Sequence, residues 1–285
     1  VTLFQLPAVA WLCTRTHHLG PPAAAAALSF PYLRRLNTPW ASDGRRLSMY
    51  LALAWWASCI VFTLLFPFAW LAGRLGAPPG SAYDALAIVS LCGGLGAIGR
   101  RPRLRNRVVR IAGLPPALDG YRIGQLSDVP CGPHTPAARV RRWVARLNAL
   151  ELDLMTVTGD LITHGSSHVE AVAAALGGLR ARDGVFACMG NHDYFTDGAA
   201  VATGLTDAGL QVLRNEGLEI TRDGARIFLA GVDDTWTGRD DLTLALAARP
   251  AGMPAVLLAH DPVLSPDAAA RGVDLTISGH THGGQ

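Results

Sequence analysis

Between Leu47 and Gly73 the chain carries no charged side chain, and from Tyr50 to Leu71 it is apolar almost without interruption. Such a run leaves the backbone little choice. About 20 apolar residues match the hydrocarbon thickness of a bilayer when helical, and a helix satisfies its own amides there. Tyr50 and Trp70 stand 20 positions apart, about 30 Å on a helix at ~1.5 Å per residue. That spacing sets both rings at the headgroup levels that favour them. The run predicts a transmembrane helix over about residues 49–72, and its length argues against a buried core helix.

A second charge-free run, Ala85 to Gly99, is shorter and contains Gly93, Gly94 and Gly96. It spans a bilayer only by borrowing Ser81 to Asp84, giving a second span over about 81–99, and its glycines suit close packing on the first. Val1 to Cys13 reads as the tail of a further span, and Pro21 to Leu33 stays undecided. Residues 1–99 are therefore read as a helical membrane region and 100–110 as an arginine-rich linker. Arg34, Arg35, Arg45 and Arg46 precede the first span; Arg100, Arg101, Arg103, Arg105, Arg107 and Arg110 follow the second; only Arg74 lies between. The positive-inside rule then predicts a multi-pass cell-membrane protein with a cytoplasmic soluble part.

From residue 111 the composition becomes that of a soluble α/β domain. The net charge of +3, with every basic residue an arginine, excludes nucleic acid as an expected partner. Five scattered cysteines without a C-x-x-C pair argue against a disulfide framework or zinc knuckle. Strands are expected at Tyr121–Ser127, Leu152–Thr158, Gly184–Met189, Leu218–Thr221, Arg226–Ala230, Ala255–Ala259 and Val273–Ser278. Helices are expected at Thr135–Leu150, His168–Leu179 and Gly198–Ala208. This alternation implies a largely parallel sheet covered by helices.

The polar motifs fall where those strands end: Asp128; Gly159-Asp160; Gly190-Asn191-His192-Asp193; His260-Asp261; and Gly279-His280-Thr281-His282. Ligands gather at the carboxyl ends of strands in such sheets. A single Asp there is usually a helix cap and a single His is usually structural. Five strand ends that each deliver Asp, Asn or His point to a functional site. His164 and His168 fit no ligand position, His17 and His18 read as polar flanks, and Asp233-Asp234 reads as a loop cap.

This series resembles the calcineurin-like metallophosphoesterases. Leu114-Pro115-Pro116-Ala117-Leu118-Asp119-Gly120, Leu213-Arg214-Asn215-Glu216-Gly217 and the closing Gly283-Gly284-Gln285 are similar to its membrane-attached bacterial branch related to YkuE. The resemblance implies an α/β fold, a metallophosphoesterase-type β-sheet sandwich flanked by helices, over residues 111–285, with the sheet expected to continue past Gln285. It implies two divalent ions (Mn, Fe or Zn) and hydrolysis of phosphomonoester, phosphodiester or pyrophosphate bonds by a metal-activated water. Asp128, Asp160 and His282 would hold the first ion; Asp160, Asn191, His260 and His280 would hold the second. His192 would protonate the leaving oxygen or steady its charge, and Asp193 would orient His192. Phosphorylated small molecules or lipid-linked substrates are expected, with the membrane as partner.

One departure bears on activity. The family's first motif is Asp-x-His, and here it reads Asp128-Val129-Pro130. Proline cannot bind a metal. Solvent could fill the gap and leave a weaker first site, Cys131 or His134 could substitute, or the chain could be a weakened or inactive binding or sensing module.

Overall fold

The structure, a computed structural model, describes residues 8, 43–78, 81–98, 102–129, 131–132, 135–162 and 168–282. The expectations for Val1–Cys13 (Ala8 apart), His17, His18, Pro21–Leu33, Pro130, His134, His164 and Gly283–Gln285 lie outside the described residues. The chain divides into two compact units, Val1–Arg107 and Val108–Gln285.

In the first unit, helix α1 runs Asp43–Arg74 and α2 runs Ser81–Ile98. Within α1, Ala54–Arg74 is long and apolar enough to cross a membrane, judged by length and composition. One face of α1, with Cys59, Phe62 and Ala69, packs against Leu86, Ala82, Tyr83 and Ala87 of α2. Leu64, Phe68, Trp70 and Leu71 face outward, as lipid-facing side chains would. The α1 hydroxyls bond their own helix, Ser58 Oγ to the Ala54 carbonyl at 2.7 Å and Thr63 Oγ1 to the Cys59 carbonyl at 2.9 Å. Gly93 of α2 lies against Val61, where a Cβ would meet the valine methyl at 3.8 Å.

The second unit begins with a 3-10 turn, Pro116–Leu118, and then builds two sheets. The first contains β1 (Ile123–Leu126), β2 (Leu154–Thr158), β3 (Val185–Cys188) and β4 (Gln211–Val212), all parallel and side by side in that order. The second contains β5 (Glu216–Arg222), β6 (Ala225–Gly231), β7 (Ala255–Leu258) and β8 (Leu275–Ile277). Here β5 and β6 form an antiparallel hairpin, and β6, β7 and β8 are parallel. The single, largely parallel sheet expected from the alternation is thus two, and the second is mixed.

Side-chain alternation explains the layering. Leu154, Phe186 and Cys188 of the first sheet meet Ile220, Ile227, Leu229, Val256, Leu258 and Ile277 of the second, forming the core between sheets. The intervening residues point outward. Met155, Val157 and Ala187 pack under helices α3 (Ala137–Asn148), α4 (Val169–Leu176) and α6 (Gly198–Asp207). Phe228, Ala230, Ala255 and Leu257 pack beneath α7 (Leu242–Leu246) and α8 (Ser265–Ala270). A short helix, α5 (Asn191–Thr196), follows β3 directly. Because both faces of each sheet are covered, β2 is buried along its whole length.

The two sheets are tied at both ends. At the amino ends of β2 and β3, Arg222 donates to Asp153 at 2.9 Å and Asp183 at 2.7 Å, and the Tyr121 hydroxyl donates to Asp183 at 2.7 Å. The Arg222 side chain is 7% exposed. Removing the guanidinium leaves two half-enclosed carboxylates facing each other, which is far worse than losing an exposed pair. Arg222→Ala is expected to lower the melting temperature of the domain by roughly 5–10 °C. A thermal melt that does not move would show the tie to be dispensable.

Candidate metal centre

At the carboxyl ends of the strands the sheets converge on one rim. Gln125 of β1 donates through Nε2 to Thr158 Oγ1 at 2.9 Å and to the Ser278 carbonyl at 2.7 Å. Ser127 Oγ donates to the Thr158 carbonyl at 3.0 Å, and the same carbonyl accepts from His260 Nδ1 at 2.7 Å. The loops after β1, β2, β7 and β8 are therefore pinned together around Thr158.

The backbone there is bent hard. Among the described residues, seven that are not glycine have positive φ, and four of them are Asp128 (52°), Asp160 (56°), His280 (64°) and His282 (49°). Each such residue costs on the order of 1–3 kcal/mol and persists only where its surroundings over-determine it. Three glycines make the crowding possible. A Cβ on Gly159 would meet Gly190 N at 2.5 Å and His260 Nδ1 at 2.9 Å; one on Gly190 would meet Asp160 N at 2.6 Å. A Cβ on Gly279 would collide with Ser127 Oγ and come within 2.7 Å of Asp128 Oδ2.

This geometry brings side chains together from both sheets. The ligand atoms of Asp160, His260 and His280 all lie within 4.8 Å of one another, a group that could hold a metal ion. His260 Nε2 sits 3.1 Å from Asp160 Oδ2 and 3.3 Å from His280 Nδ1. Because Nδ1 of His260 carries its proton toward Thr158, Nε2 is the nitrogen turned to the centre. On the other side, Asp128 Oδ1 lies 3.5 Å from His282 Nε2 and accepts from His280 N at 3.1 Å. His192 donates its backbone N–H to Asp160 Oδ1 at 2.9 Å, and its ring stands edge-on to Phe195 at 5.4 Å.

The donor set suits a divalent ion. Asn191 is buried and its Oδ1 has no hydrogen-bond partner among the described residues, a condition that a cation would relieve. Burial opposes charge on His260 and Asp160, but their mutual contact outweighs it. It pushes His260 up to about 9 and holds Asp160 below its ordinary value. A cation held between the two groups would take the place of that mutual contact.

The fully buried carboxylate of Asp193, expected to orient His192, accepts from the backbone amides of Asp160 (3.0 Å), Leu161 (2.8 Å) and Gly190 (3.0 Å). Burial pushes it up to about 6 despite those donors. Cys131, a suggested substitute ligand, is 2% exposed in the core under α3, bridged to Ile162, and burial raises its thiol. It cannot swing to the centre without leaving that core. His168 lies at the start of α4. Of the Asp233-Asp234 pair, Asp234 does cap the Thr237 amide at 2.8 Å. Asp233, by contrast, is buried and accepts from Tyr194 OH at 2.5 Å and Arg214 Nε at 2.8 Å, locking α5 to the second sheet.

Sequence reasoning missed the aromatic rim. Trp236 is 65% exposed with its ring 6.0 Å from His280, and Phe195 is 55% exposed against His192. The only signal was position: each aromatic follows a strand-end motif by two or three residues.

The family model for calcineurin-like phosphoesterases matches residues 121–284. A bovine "transmembrane protein with metallophosphoesterase domain" is 34% identical over 76% of this chain and 54% of its own length. The "uncharacterized metallophosphoesterase YkuE" of Bacillus subtilis is 32% identical over 60% of this chain and 62% of its own length. "Phosphodiesterase YaeI" of Escherichia coli is 28% identical over 58% and 62%. The chain spans about half the length of the bovine relative. With the match covering more than half of its residues, the chain belongs to the calcineurin-like phosphoesterase family.

Proposed function

We propose that this protein hydrolyses phosphoester or pyrophosphate bonds at a centre of two divalent ions, anchored to a membrane by α1. The observation that carries the reading is the convergence of Asp160, His260 and His280, with Asn191 buried at the end of β3 and its oxygen without a hydrogen-bond partner among the described residues. Asp160, Asn191, His260 and His280 would hold one ion, and Asp128, Asp160 and His282 the other. Mn, Fe and Zn all accept such mixed oxygen and nitrogen donors. When bound, such ions neutralise phosphate oxygens and lower the pKa of water.

The chain's own residues supply the rest. His260 is held to one tautomer by Thr158, so its Nε2 stays aimed at the centre. His192, on the first turn of α5, would give a proton to the leaving oxygen. Asp193 fixes the two loops that carry Asp160 and Asn191 in register, and acts through them as a positioning residue.

The substrate is read as an amphiphilic, lipid-linked phosphate. After residue 111 the exposed large apolar side chains among the described residues are Phe195, Trp236, Leu244 and Val263. Phe195 and Trp236 stand against site histidines, and Val263 follows His260 by three residues. A purely polar substrate gains nothing from that rim. The arginines flanking α1 and α2 support a multi-pass arrangement with the catalytic unit in the cytoplasm.

The test is hydrolysis of bis-p-nitrophenyl phosphate with added Mn²⁺. The native chain is expected to turn over, and Pro130→His to raise both Mn²⁺ affinity and rate by about 10–100-fold, by restoring the histidine of the Asp-x-His motif. If neither protein hydrolyses the diester and neither binds metal, the chain is a binding or sensing module.

A further inference from the structure

Residues 102–110, Pro-Arg-Leu-Arg-Asn-Arg-Val-Val-Arg, form neither helix, strand nor turn, and every one of them is exposed. Two features are unusual together. Arg103, Arg105, Arg107 and Arg110 have no ion pair or hydrogen bond among the described residues. Interleaved with them, Leu104, Val108 and Val109 are 51%, 93% and 52% exposed. A linker that merely spanned solvent would gain nothing from those apolar side chains, and one that packed on the protein would have buried them.

Position narrows the partner. Pro102 follows Ile98, the last residue of α2, by four residues, a reach of at most about 14 Å. Whatever surface receives the end of α2 is within touching distance of the segment. An anionic lipid surface offers phosphates to the guanidiniums and acyl boundary to the leucine and valines. A nucleic acid would use the arginines but has no place for the three aliphatic side chains.

We propose that residues 102–110 lie on an anionic membrane surface, tethering the start of the catalytic unit there. Each guanidinium near such a surface multiplies partition about fivefold at ordinary ionic strength. Four of them with three apolar contacts make a firm but salt-sensitive attachment. This rests on the membrane arrangement of α1 and α2 proposed above and does not depend on the catalytic reading.

The experiment is hydrogen–deuterium exchange of the full chain in vesicles of phosphatidylcholine alone or with about one third phosphatidylglycerol. Residues 102–110 make no backbone hydrogen bond among the described residues, so their amides should exchange freely in phosphatidylcholine. With phosphatidylglycerol they should slow by about tenfold or more, and high salt should reverse most of it. The quadruple variant Arg103→Gln, Arg105→Gln, Arg107→Gln and Arg110→Gln should lose the difference while exchange in β2 stays unchanged, which shows that the fold survives. Equal exchange in both vesicles overturns the proposal. So does protection by an added oligonucleotide and not by phosphatidylglycerol.

Discussion

Asp160→Ala is expected to cut hydrolysis of bis-p-nitrophenyl phosphate by about 10³-fold or more and to strip the protein of bound metal. Both oxygens of its side chain are engaged in the centre. One oxygen faces His260 Nε2 at 3.1 Å and the other accepts from His192 N at 2.9 Å. Its loss would remove the one ligand common to both proposed ions. Stability separates this from simple unfolding. Residue 160 has φ of 56°, where an alanine costs about 1–2 kcal/mol and a glycine almost nothing. Asp160→Gly should therefore be as inactive as Asp160→Ala but melt higher, by about 1 kcal/mol or roughly 3 °C for a domain of this size. Metal content by atomic absorption, with thermal melts of both variants, checks the pair. An alanine variant that keeps its metal, or one that melts with the glycine variant, would contradict the placement of Asp160.

Much of what converges at this centre was legible in the sequence. Asp128, Asp160, Asn191, His260 and the histidines at 280 and 282 each follow an apolar run that could only be a strand. The carboxyl ends of strands that share a sheet must lie on one rim. The turn Arg222-Asp223-Gly224 marked the β5–β6 hairpin for a local reason, and the structure gives Asp223 and Gly224 positive φ.

What failed to show was tertiary. That the strands divide into two sheets depends on which alternate residues of β2 and β7 face one another, and fully buried strands look apolar on both faces. β4 pairs only Gln211 and Val212 with β3, too short for any periodicity, and α5, α7 and α8 are short helices of the same kind. The left-handed backbone at Asp128, Asp160, His280 and His282 is likewise invisible locally. It is imposed by contacts such as Gln125 with Ser278, 153 residues apart in sequence. Asp233 looked like a cap because caps are common; its partners, Tyr194 and Arg214, lie 39 and 19 residues away.

Asp193 gives the second large effect, and there two readings of one residue part company. As an acceptor for the His192 ring, Asp193 would govern proton transfer and little else. Asp193→Asn would then slow the reaction, shift its pH profile and leave stability alone. The structure instead sets the carboxylate, fully buried, against three backbone amides on two loops. Oδ1 takes the Leu161 amide, while Oδ2 takes both Asp160 and Gly190. An asparagine has one oxygen to offer and must turn an N–H₂ toward at least one of those donors, so the conservative change should not rescue. Asp193→Ala leaves all three amides unpaired in the interior, at about 1–3 kcal/mol each before relaxation. A net loss of about 3–5 kcal/mol is expected, with Asp193→Asn losing more than half as much. Because the amides belong to the loops that carry Asp160 and Asn191, both variants should also bind Mn²⁺ at least about tenfold more weakly. Denaturant unfolding and a metal titration measure the two quantities. If Asp193→Asn unfolds with the native protein and binds metal equally well, the carboxylate is serving His192 and the scaffold reading is wrong.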